Sequence, residues 1–303
     1  MINFTHNNHL KYSIGGREFG YRENSYEKFE VSLGKIDTSH FRNSSYNKEL
    51  LRTADLVYKD YGKEFALFLS GGTDSEIVAR NFTDIGVKPV CYCIKLEEYN
   101  APDVKIAIEI AKELDLKLHI LDFDVKEFFY SGEAAEFGGS IQCTQVTYLM
   151  VYHSILKIGL PSVMGGELLM KKTISTPKSE WYYTLRENED CSAMRFSLKY
   201  NIPLVNEWFS YTPELILYWL SCPDIENMVK NSKFKLSSVS SKNAILKKYI
   251  PKIDLRKKTH GFEKLIAFNN EAYRSLTYDQ IYRMEPSLDG ILYEDALDKL
   301  FGV

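Results

Sequence analysis

The strongest constraint on the fold is an apolar run, Phe65 to Leu69, that ends abruptly on the six-residue segment Ser70 to Ser75, Ser-Gly-Gly-Thr-Asp-Ser. A short apolar run bounded by turn residues is typical of a buried parallel strand. The segment that follows, Glu76 to Phe82, has helical character. The pattern therefore predicts a strand, a loop and a helix in direct succession, which is the repeating unit of α/β proteins.

The loop in this unit suits a phosphate group. A loop at the N-terminus of a helix directs several backbone N–H groups into one concave site. Gly71 and Gly72 let the backbone approach an anion closely, and Ser70 and Ser75 add hydroxyl donors. Asp74 would repel the anion unless a Mg²⁺ ion lay between them. The loop therefore indicates a nucleoside triphosphate with its metal.

These six residues resemble the pyrophosphate loop, Ser-Gly-Gly-x-Asp-Ser, of the ATP pyrophosphatases. That superfamily includes asparagine synthetase, β-lactam synthetase, GMP synthetase and NAD synthetase. The sequence contains no Gly-x-x-x-x-Gly-Lys-Ser/Thr motif, so a P-loop is excluded. The resemblance implies that the β,γ-pyrophosphate of ATP contacts Ser70, Gly71, Gly72, Thr73, Asp74 and Ser75. It also implies adenine contacts to the backbone near Leu69 and Ile94.

A second segment, Val163 to Leu169, resembles the second, acidic motif of the synthetase domain of asparagine synthetase. That motif normally reads Ser-Gly-x-Gly-x-Asp-Glu, whereas here only Glu167 is acidic. The resemblance implies that Gly165 and Gly166 approach the pyrophosphate. It also implies that Glu167 and Asp74 together hold Mg²⁺.

A third segment, Tyr249 to Phe262, resembles the Pro…Arg-x-Lys-x-Gly-Phe stretch near the C-terminus of asparagine synthetases. Position by position, the lysine of that stretch is Lys258. The resemblance implies that Lys258 contacts the phosphates and acts in catalysis with Asp74. A fixed cation there would stabilise charge on the α-phosphate as pyrophosphate leaves.

Hydrophobic periodicity predicts the rest of the fold. Strands are expected at residues 65–69, 89–94, 116–121 and 161–164. Helices are expected at residues 50–61, before the first strand, and at residues 75–82, 103–114 and 144–158, between the strands. Strands alternating with helices indicate a parallel sheet covered on both faces. The resemblance implies five strands, in an adenine nucleotide alpha hydrolase-like arrangement. In such sheets ligands bind at the carboxyl ends of the strands.

We expect three regions along the 303 residues. Residues 1–48 form a short β segment, with a hairpin at Leu10 to Arg22 and a further strand at Lys28 to Leu33. Residues 49–174 form the ATP pyrophosphatase domain, and residues 175–303 are mainly helical and complete the active site. The first region is too small for the glutaminase domain of asparagine synthetase and has no cysteine after Met1.

The composition limits which binding partners and which cellular compartment we expect. The net charge of −3 does not indicate the basic surface that nucleic-acid binding usually needs. No apolar stretch has the length of a membrane span, and the N-terminus has no signal-peptide pattern. The five cysteines form no CxxC motif. These features indicate a reducing, cytoplasmic setting, and Cys91 and Cys93 are expected to be buried on one strand.

The resemblance thus implies an ATP- and Mg²⁺-dependent, AMP-forming carbon–nitrogen ligase. A substrate carboxylate or carbonyl oxygen would be adenylated and then attacked by nitrogen from ammonia, an amine or a separate glutaminase. Two other functions stay open. One is an enzyme acting on a nucleobase or tRNA, like 7-cyano-7-deazaguanine synthase or the thiouridine-forming enzymes. The other is a nucleotide-binding protein without activity, which the reduced second motif favours.

Overall fold

The described part of the chain contains a five-stranded parallel β-sheet and two three-stranded antiparallel sheets. The computed structural model describes residues 10–24, 26–33, 44–143, 145–166, 170–172, 181–184, 191–223, 246, 250, 253 and 290–292. Within these ranges no helix has the length and hydropathy needed to cross a membrane.

The secondary structure elements follow one another in this order: β1 (Leu10–Ile14), β2 (Arg17–Glu18), β3 (Phe29–Leu33), α1 (Tyr46–Tyr61), β4 (Ala66–Phe68), α2 (Thr73–Asp84), β5 (Val90–Lys95), α3 (Ala101–Glu113), β6 (Leu118–Asp122), α4 (Val125–Tyr130), α5 (Glu133–Ile141), α6 (Val146–Ile158), β7 (Ser162–Val163), β8 (Met170–Lys172), β9 (Trp181–Thr184), α7 (Ser192–Tyr200), β10 (Leu204–Val205), a 3-10 turn (Trp208–Ser210), α8 (Pro213–Leu220) and β11 (Gly290–Leu292).

The central sheet has the strand order β10-β7-β4-β5-β6, and all of its pairings are parallel. The chain starts in the middle at β4, builds outward through β5 to β6, and then returns to the other side of β4 to add β7 and β10. The order reverses between β4 and β7. In open parallel sheets the crevice at such a reversal, beyond the carboxyl ends of the strands, is where ligands bind.

The two faces of the sheet are covered by different helices because successive side chains of a strand point to opposite sides. Leu67 of β4 packs with Cys91 and Cys93 of β5 in a core that includes α1, α2, α3 and α8. Ala66 and Phe68 face the other way, into a core that includes α4, α5, α6 and α7. The predicted α/β class, with helices on both faces of a five-stranded parallel sheet, is confirmed.

The predicted N-terminal β segment is present as an antiparallel sheet of order β2-β1-β3, in which Gly15 and Gly16 form the turn. Its apolar side packs on Cys191 at the start of α7. Arg22 and Gln142 exchange two hydrogen bonds: the Arg22 N–H donates to Oε1 at 2.8 Å, and Nε2 donates to the Arg22 carbonyl at 2.7 Å. The small sheet is therefore fixed to the helices on one face of the central sheet.

Arg195 of α7 is the main polar anchor of this small sheet. Its side chain is completely buried, and Nε and Nη2 donate to the Gly20 carbonyl at 3.2 and 3.1 Å. The guanidinium also lies 5.6 Å from the ring centroid of Tyr12 and 5.2 Å from that of Tyr21. A forked, planar cation suits this arrangement better than an ammonium group would.

We expect Arg195→Lys to lower the free energy of unfolding by about 1–3 kcal/mol, because charge-assisted hydrogen bonds are lost. Hydrogen exchange in β1, β2 and β3 should accelerate more than in β4 to β6. Lys199→Ala is the control: Lys199 is exposed on the same helix, and its hydrogen bond to the Ser140 carbonyl is 3.4 Å long. Equal exchange of β1 to β3 in wild type and Arg195→Lys would show that Arg195 is not the anchor.

The region predicted to be mainly helical, residues 175–303, contains α7 and α8 in its described part, but also three strands, β9, β10 and β11. Among them β10 supplies the fifth strand of the central sheet. Periodicity did not predict it because a two-residue strand after Pro203 has no periodic pattern. The three-region division of the chain stays a prediction.

Candidate phosphate-binding site

The loop between β4 and α2 lies at the carboxyl end of the central strand, as predicted. Leu69 continues the strand ladder, since its N–H donates to the Tyr92 carbonyl at 2.9 Å. Helix α2 begins at Thr73, with Gly72 as its N-cap and no side-chain cap. Thr73, Asp74 and Ser75 form the first helical turn, whose N–H groups point out of the N-terminal end of a helix. The helix therefore directs backbone donors and its positive end towards the crevice.

The two serines of the loop hold its shape. Ser75 is buried, accepts a hydrogen bond from the Ser70 N–H at 3.1 Å and donates to the Gly72 carbonyl at 2.9 Å. Ser70 is exposed; its Oγ lies 3.2 Å from the Ser75 Oγ and accepts from the Gly72 N–H at 3.4 Å. The Ser75 hydroxyl thus braces the loop, and the Ser70 hydroxyl is the one that a ligand can reach.

Gly71 is required by the backbone conformation and by close packing. Its φ is +73°, and a Cβ atom there would lie 2.2 Å from the carbonyl oxygen of Asp103 in α3. No side chain fits between two backbones at this distance. The loop is therefore held against the first turn of α3, where the Asp103 side chain is buried.

The second predicted segment lies against the first. Gly165 follows β7, and a Cβ atom there would lie 2.8 Å from the Asp74 Cβ and 3.0 Å from the Ser75 nitrogen. Gly166, at φ +69°, faces the other neighbouring loop, where a Cβ atom would lie 2.4 Å from the Asn206 carbonyl oxygen. Only the backbone of Gly165 and Gly166 therefore lies between the Ser70 to Ser75 loop, called the phosphate loop below, and the segment after β10.

Glu207 is an acidic residue of this site that the sequence analysis missed. It follows β10 directly, and its Oε2 would lie 2.6 Å from a Cβ atom on Gly166. The signal that could have revealed it is the apolar run Ile202 to Val205 ending on polar Asn206 and Glu207, a shorter version of the pattern at Phe65 to Ser70. The run includes Pro203 and is too short to predict a strand from periodicity alone.

The two positions predicted near adenine, Leu69 and Ile94, lie at the ends of adjacent strands, β4 and β5. Leu69 is completely buried. The Ile94 carbonyl accepts a hydrogen bond from the Asn100 side chain at 2.7 Å, and Asn100 also accepts from the Leu96 N–H at 2.8 Å. Asn100 therefore holds the chain where it leaves β5, next to the position predicted for the base.

Glu167 and Lys258, which the resemblance implies as metal ligand and catalytic cation, lie outside the described residues. The structure thus brings together Ser70 to Ser75, Gly165 and Gly166 at one crevice, with Leu69 and Ile94 at its strand ends. The positions of Glu167 and Lys258 stay predictions.

Two acidic side chains, Asp74 and Glu207, lie next to the Gly165–Gly166 pair. Asp74 and Glu207 border the two sides of the Gly165–Gly166 pair, at positions where a Cβ atom would collide with them. In the part of the chain that the structure describes, no group of three or more His, Cys, Asp or Glu side chains could hold a metal ion. Mg²⁺ commonly uses one or two carboxylates and takes its other ligands from water and phosphate. The protein would then supply part of the coordination, and the nucleotide the rest.

The cysteines are buried free thiols: Cys91, Cys93, Cys143, Cys191 and Cys222. The prediction that Cys91 and Cys93 are buried on one face of a strand is confirmed. Burial raises the pKa of the Cys91 thiol to about 12. Since only the thiolate is a good nucleophile or metal ligand, Cys91 is inert at neutral pH.

No family model matches the sequence, and no curated protein matches it either. Among solved structures, an NH3-dependent NAD synthetase from Campylobacter jejuni is 14% identical, with a TM-score of 0.34, over 80% of this chain and 96% of that one. An NMN synthetase from Francisella tularensis is 14% identical, with a TM-score of 0.33, over 77% and 94%.

A predicted subunit of tRNA methyltransferase from Methanocaldococcus jannaschii is 17% identical, with a TM-score of 0.31, over 61% of this chain and 87% of that one. Likenesses of this size assign no family. The chemistry of the site therefore has to be argued from this chain's own residues.

Proposed function

We propose that this protein is an ATP-dependent enzyme of the ATP pyrophosphatase type, which cleaves ATP to AMP and pyrophosphate to activate a substrate for attack by nitrogen. The observation that carries the proposal is the Ser70 to Ser75 loop at the N-terminus of α2, set at the reversal of strand order. Its first-turn N–H groups suit the pyrophosphate end of ATP, and Leu69 and Ile94 lie where the base would extend.

The reaction has two steps. A carboxylate or carbonyl oxygen of the acceptor attacks the α-phosphorus, the bond from that phosphorus to the bridging oxygen breaks, and pyrophosphate leaves with the electron pair. A nitrogen nucleophile then attacks the activated carbon, loses a proton, and displaces AMP. The nitrogen comes from ammonia, an amine on the substrate, or a separate glutaminase, in a ligase of asparagine-synthetase-like chemistry.

Each predicted residue has a role in this scheme. Ser70, Gly71, Gly72, Thr73 and Ser75 hold the pyrophosphate through backbone and hydroxyl donors, and Gly165 with Gly166 keeps the neighbouring loop close. Asp74 and Glu167 would hold Mg²⁺, which when bound neutralises charge on the phosphates. Lys258 would stabilise charge as pyrophosphate leaves.

Of the two alternatives, only the inactive nucleotide-binding protein has a specific observation in its favour. The second motif carries a single acidic residue, Glu167, where the family pattern has two. For the enzymes of nucleobase or tRNA thiolation, the five buried thiols offer no exposed nucleophile. An enzyme resembling 7-cyano-7-deazaguanine synthase uses the same ATP chemistry and differs only in the acceptor.

The test of the proposal is product analysis. The protein is incubated with ATP, Mg²⁺, ammonium and a pool of amino acids and deazapurine acids, and nucleotides are separated by chromatography. AMP and pyrophosphate formed in equal amounts, and rising with one acceptor, would support the proposal and identify the acceptor class. ATP that binds without cleavage under any acceptor would favour the inactive protein, and release of ADP would contradict the proposal outright.

We expect Lys258→Ala to lower kcat at least about a hundredfold while the Kd for ATP changes by less than about threefold, because its contact is strongest in the transition state. The measurement is single-turnover AMP formation beside calorimetric ATP binding. Lys257→Ala, its neighbour in the sequence, is the control and should keep its rate. If affinity falls and kcat does not, Lys258 is a binding residue.

A further inference from the structure

Asn100 lies in the loop between β5 and α3, at the carboxyl edge of the central sheet. Its side chain binds two backbone groups at the end of β5: Nδ2 donates to the Ile94 carbonyl at 2.7 Å, and Oδ1 accepts from the Leu96 N–H at 2.8 Å. Only 5% of the residue is exposed. Because a buried amide needs a partner for its donor and for its acceptor, these two bonds fix the side chain and the backbone together.

The position of Asn100 on α3 makes these two bonds more informative. Asn100 is the N-cap of α3, where an asparagine side chain ordinarily accepts a hydrogen bond from the first turn of the helix. No side-chain cap bond forms here. The amide binds the end of β5 instead, so its role lies in the loop after that strand and not in the start of the helix.

The Ile94 carbonyl faces the side of β5 on which β4 lies. Two residues earlier, the Tyr92 carbonyl accepts from the Leu69 N–H, and carbonyls two positions apart on a strand face the same edge. In a continuing ladder the next donor from β4 would be the Gly71 N–H. The chain turns into the phosphate loop before that point, and Asn100 Nδ2 donates to the Ile94 carbonyl. Asn100 therefore completes the edge of β5 next to the phosphate loop.

We propose that Asn100 is a positioning residue for recognition of the nucleotide base, because it holds the Ile94 carbonyl towards the crevice beside the phosphate loop. This inference rests on the proposed function, in which the base lies near Leu69 and Ile94. A carbonyl oxygen has two lone pairs, so the Ile94 carbonyl can accept from Asn100 and from the amino group of adenine together. A base with a carbonyl in place of that amino group, such as hypoxanthine, would bring two acceptors face to face.

The phosphate loop should keep its position without the Asn100 side chain. Helix α3 is held by buried apolar residues, among them Val104 and Ala107, and the Asp103 carbonyl oxygen lies where a Cβ atom on Gly71 would collide with it. Loss of the two amide bonds should therefore release the loop after β5 and leave the contact between α3 and the phosphate loop in place. Base recognition and phosphate binding can then be measured separately.

The experiment is calorimetric titration of the full chain, with Mg²⁺, against non-hydrolysable analogues of ATP and ITP and against inorganic pyrophosphate. We expect wild type to prefer the ATP analogue at least about tenfold, since a site that hydrogen-bonds a base rejects an analogue that leaves its polar group unpaired. Asn100→Ala should lower this preference below about threefold, while its Kd for pyrophosphate stays within about threefold of wild type.

Two control variants should keep the wild-type preference for the ATP analogue. Glu98→Gln is the matched control, because Glu98 is exposed in the same loop after β5. Arg195→Lys is the control for a general loss of stability, because Arg195 anchors a different sheet.

The outcomes separate this inference from the proposed function. If Asn100→Ala keeps the wild-type preference, or loses affinity for pyrophosphate as much as for the ATP analogue, the inference is wrong and the proposed function stands. Equal binding of both analogues by wild type would also overturn the inference alone. If wild type binds neither analogue nor pyrophosphate, the proposed function is overturned as well.

A second variant serves if Asn100→Ala does not fold. Asn100→Asp keeps an acceptor for the Leu96 N–H but places an oxygen opposite the Ile94 carbonyl, so the preference for the ATP analogue should fall here too. An unchanged preference in Asn100→Asp would overturn the inference.

Discussion

Gly71→Ala should abolish nucleotide binding and lower the free energy of unfolding by about 2–4 kcal/mol. Two costs add in this variant. A non-glycine residue at φ +73° is strained by about 1 kcal/mol or more. The new methyl group would also lie 2.2 Å from the Asp103 carbonyl oxygen, so the loop or α3 has to move, and overpacking of this kind costs about 1–3 kcal/mol.

The same strand–loop–helix segment offers a control for the backbone strain alone. Gly86, after α2, has φ +78°, but a Cβ atom there would meet nothing within 4 Å. Gly86→Ala should therefore lose only about 1 kcal/mol and keep its affinity for nucleotide. The measurements are urea unfolding and calorimetric titration with a non-hydrolysable ATP analogue. Normal nucleotide binding by Gly71→Ala would show that the Ser70 to Ser75 loop does not bind the phosphates.

The strand, loop and helix around Ser70 to Ser75 were predictable because consecutive residues define them. Phe65 to Leu69 is apolar, so it had to be buried, and Ser70 to Ser75 has the small residues that a close backbone approach needs. The structure adds the reason for one glycine in particular, the contact of Gly71 with α3. The roles of Ser70 and Ser75 were not separable in the sequence, because both are serines and only burial distinguishes them.

Glu207 shows what sequence patterns could not provide. Its proximity to Gly166 depends on β10 pairing with β7, across about forty residues of intervening chain that carry no matching periodicity. A two-residue strand gains its stability from the sheet that it joins, so its own residues hardly reveal it. The contact of the N-terminal sheet with Arg195 could not be predicted from sequence patterns either, because Gly20 and Arg195 are 175 positions apart.

These contacts together make the crevice a junction of separate chain segments. The first turn of α3 lies against Gly71, the end of β7 lies against Asp74, and the segment after β10 lies against Gly166. Backbone atoms make most of these contacts, so little free space is left for side chains to rearrange. A site of this kind is preorganised, which would favour the fixed donor geometry that the proposed phosphate chemistry needs.

Asp74→Asn should remove metal-dependent nucleotide binding while leaving the fold intact. The substitution keeps the shape of the side chain but removes the negative charge that a divalent cation requires. We expect the affinity for the Mg²⁺ complex of the ATP analogue to fall at least about a hundredfold, which corresponds to about 2.7 kcal/mol. Metal-free binding of the analogue should be retained or improved, because one like charge has been removed from beside the phosphates.

Asp84→Asn is the matched control for this experiment. Asp84 is the last residue of the same helix, is exposed, and lies at the negative end of the helix dipole. Asp84→Asn should leave nucleotide affinity unchanged and should stabilise α2 by a few tenths of a kcal/mol. Asp74→Asn, at the positive end of the helix dipole, should instead lower the free energy of unfolding by about 0.3–1 kcal/mol. Titration with and without Mg²⁺ then separates the two roles of Asp74. If both variants bind the analogue equally with Mg²⁺ present, Asp74 serves the helix and not the metal.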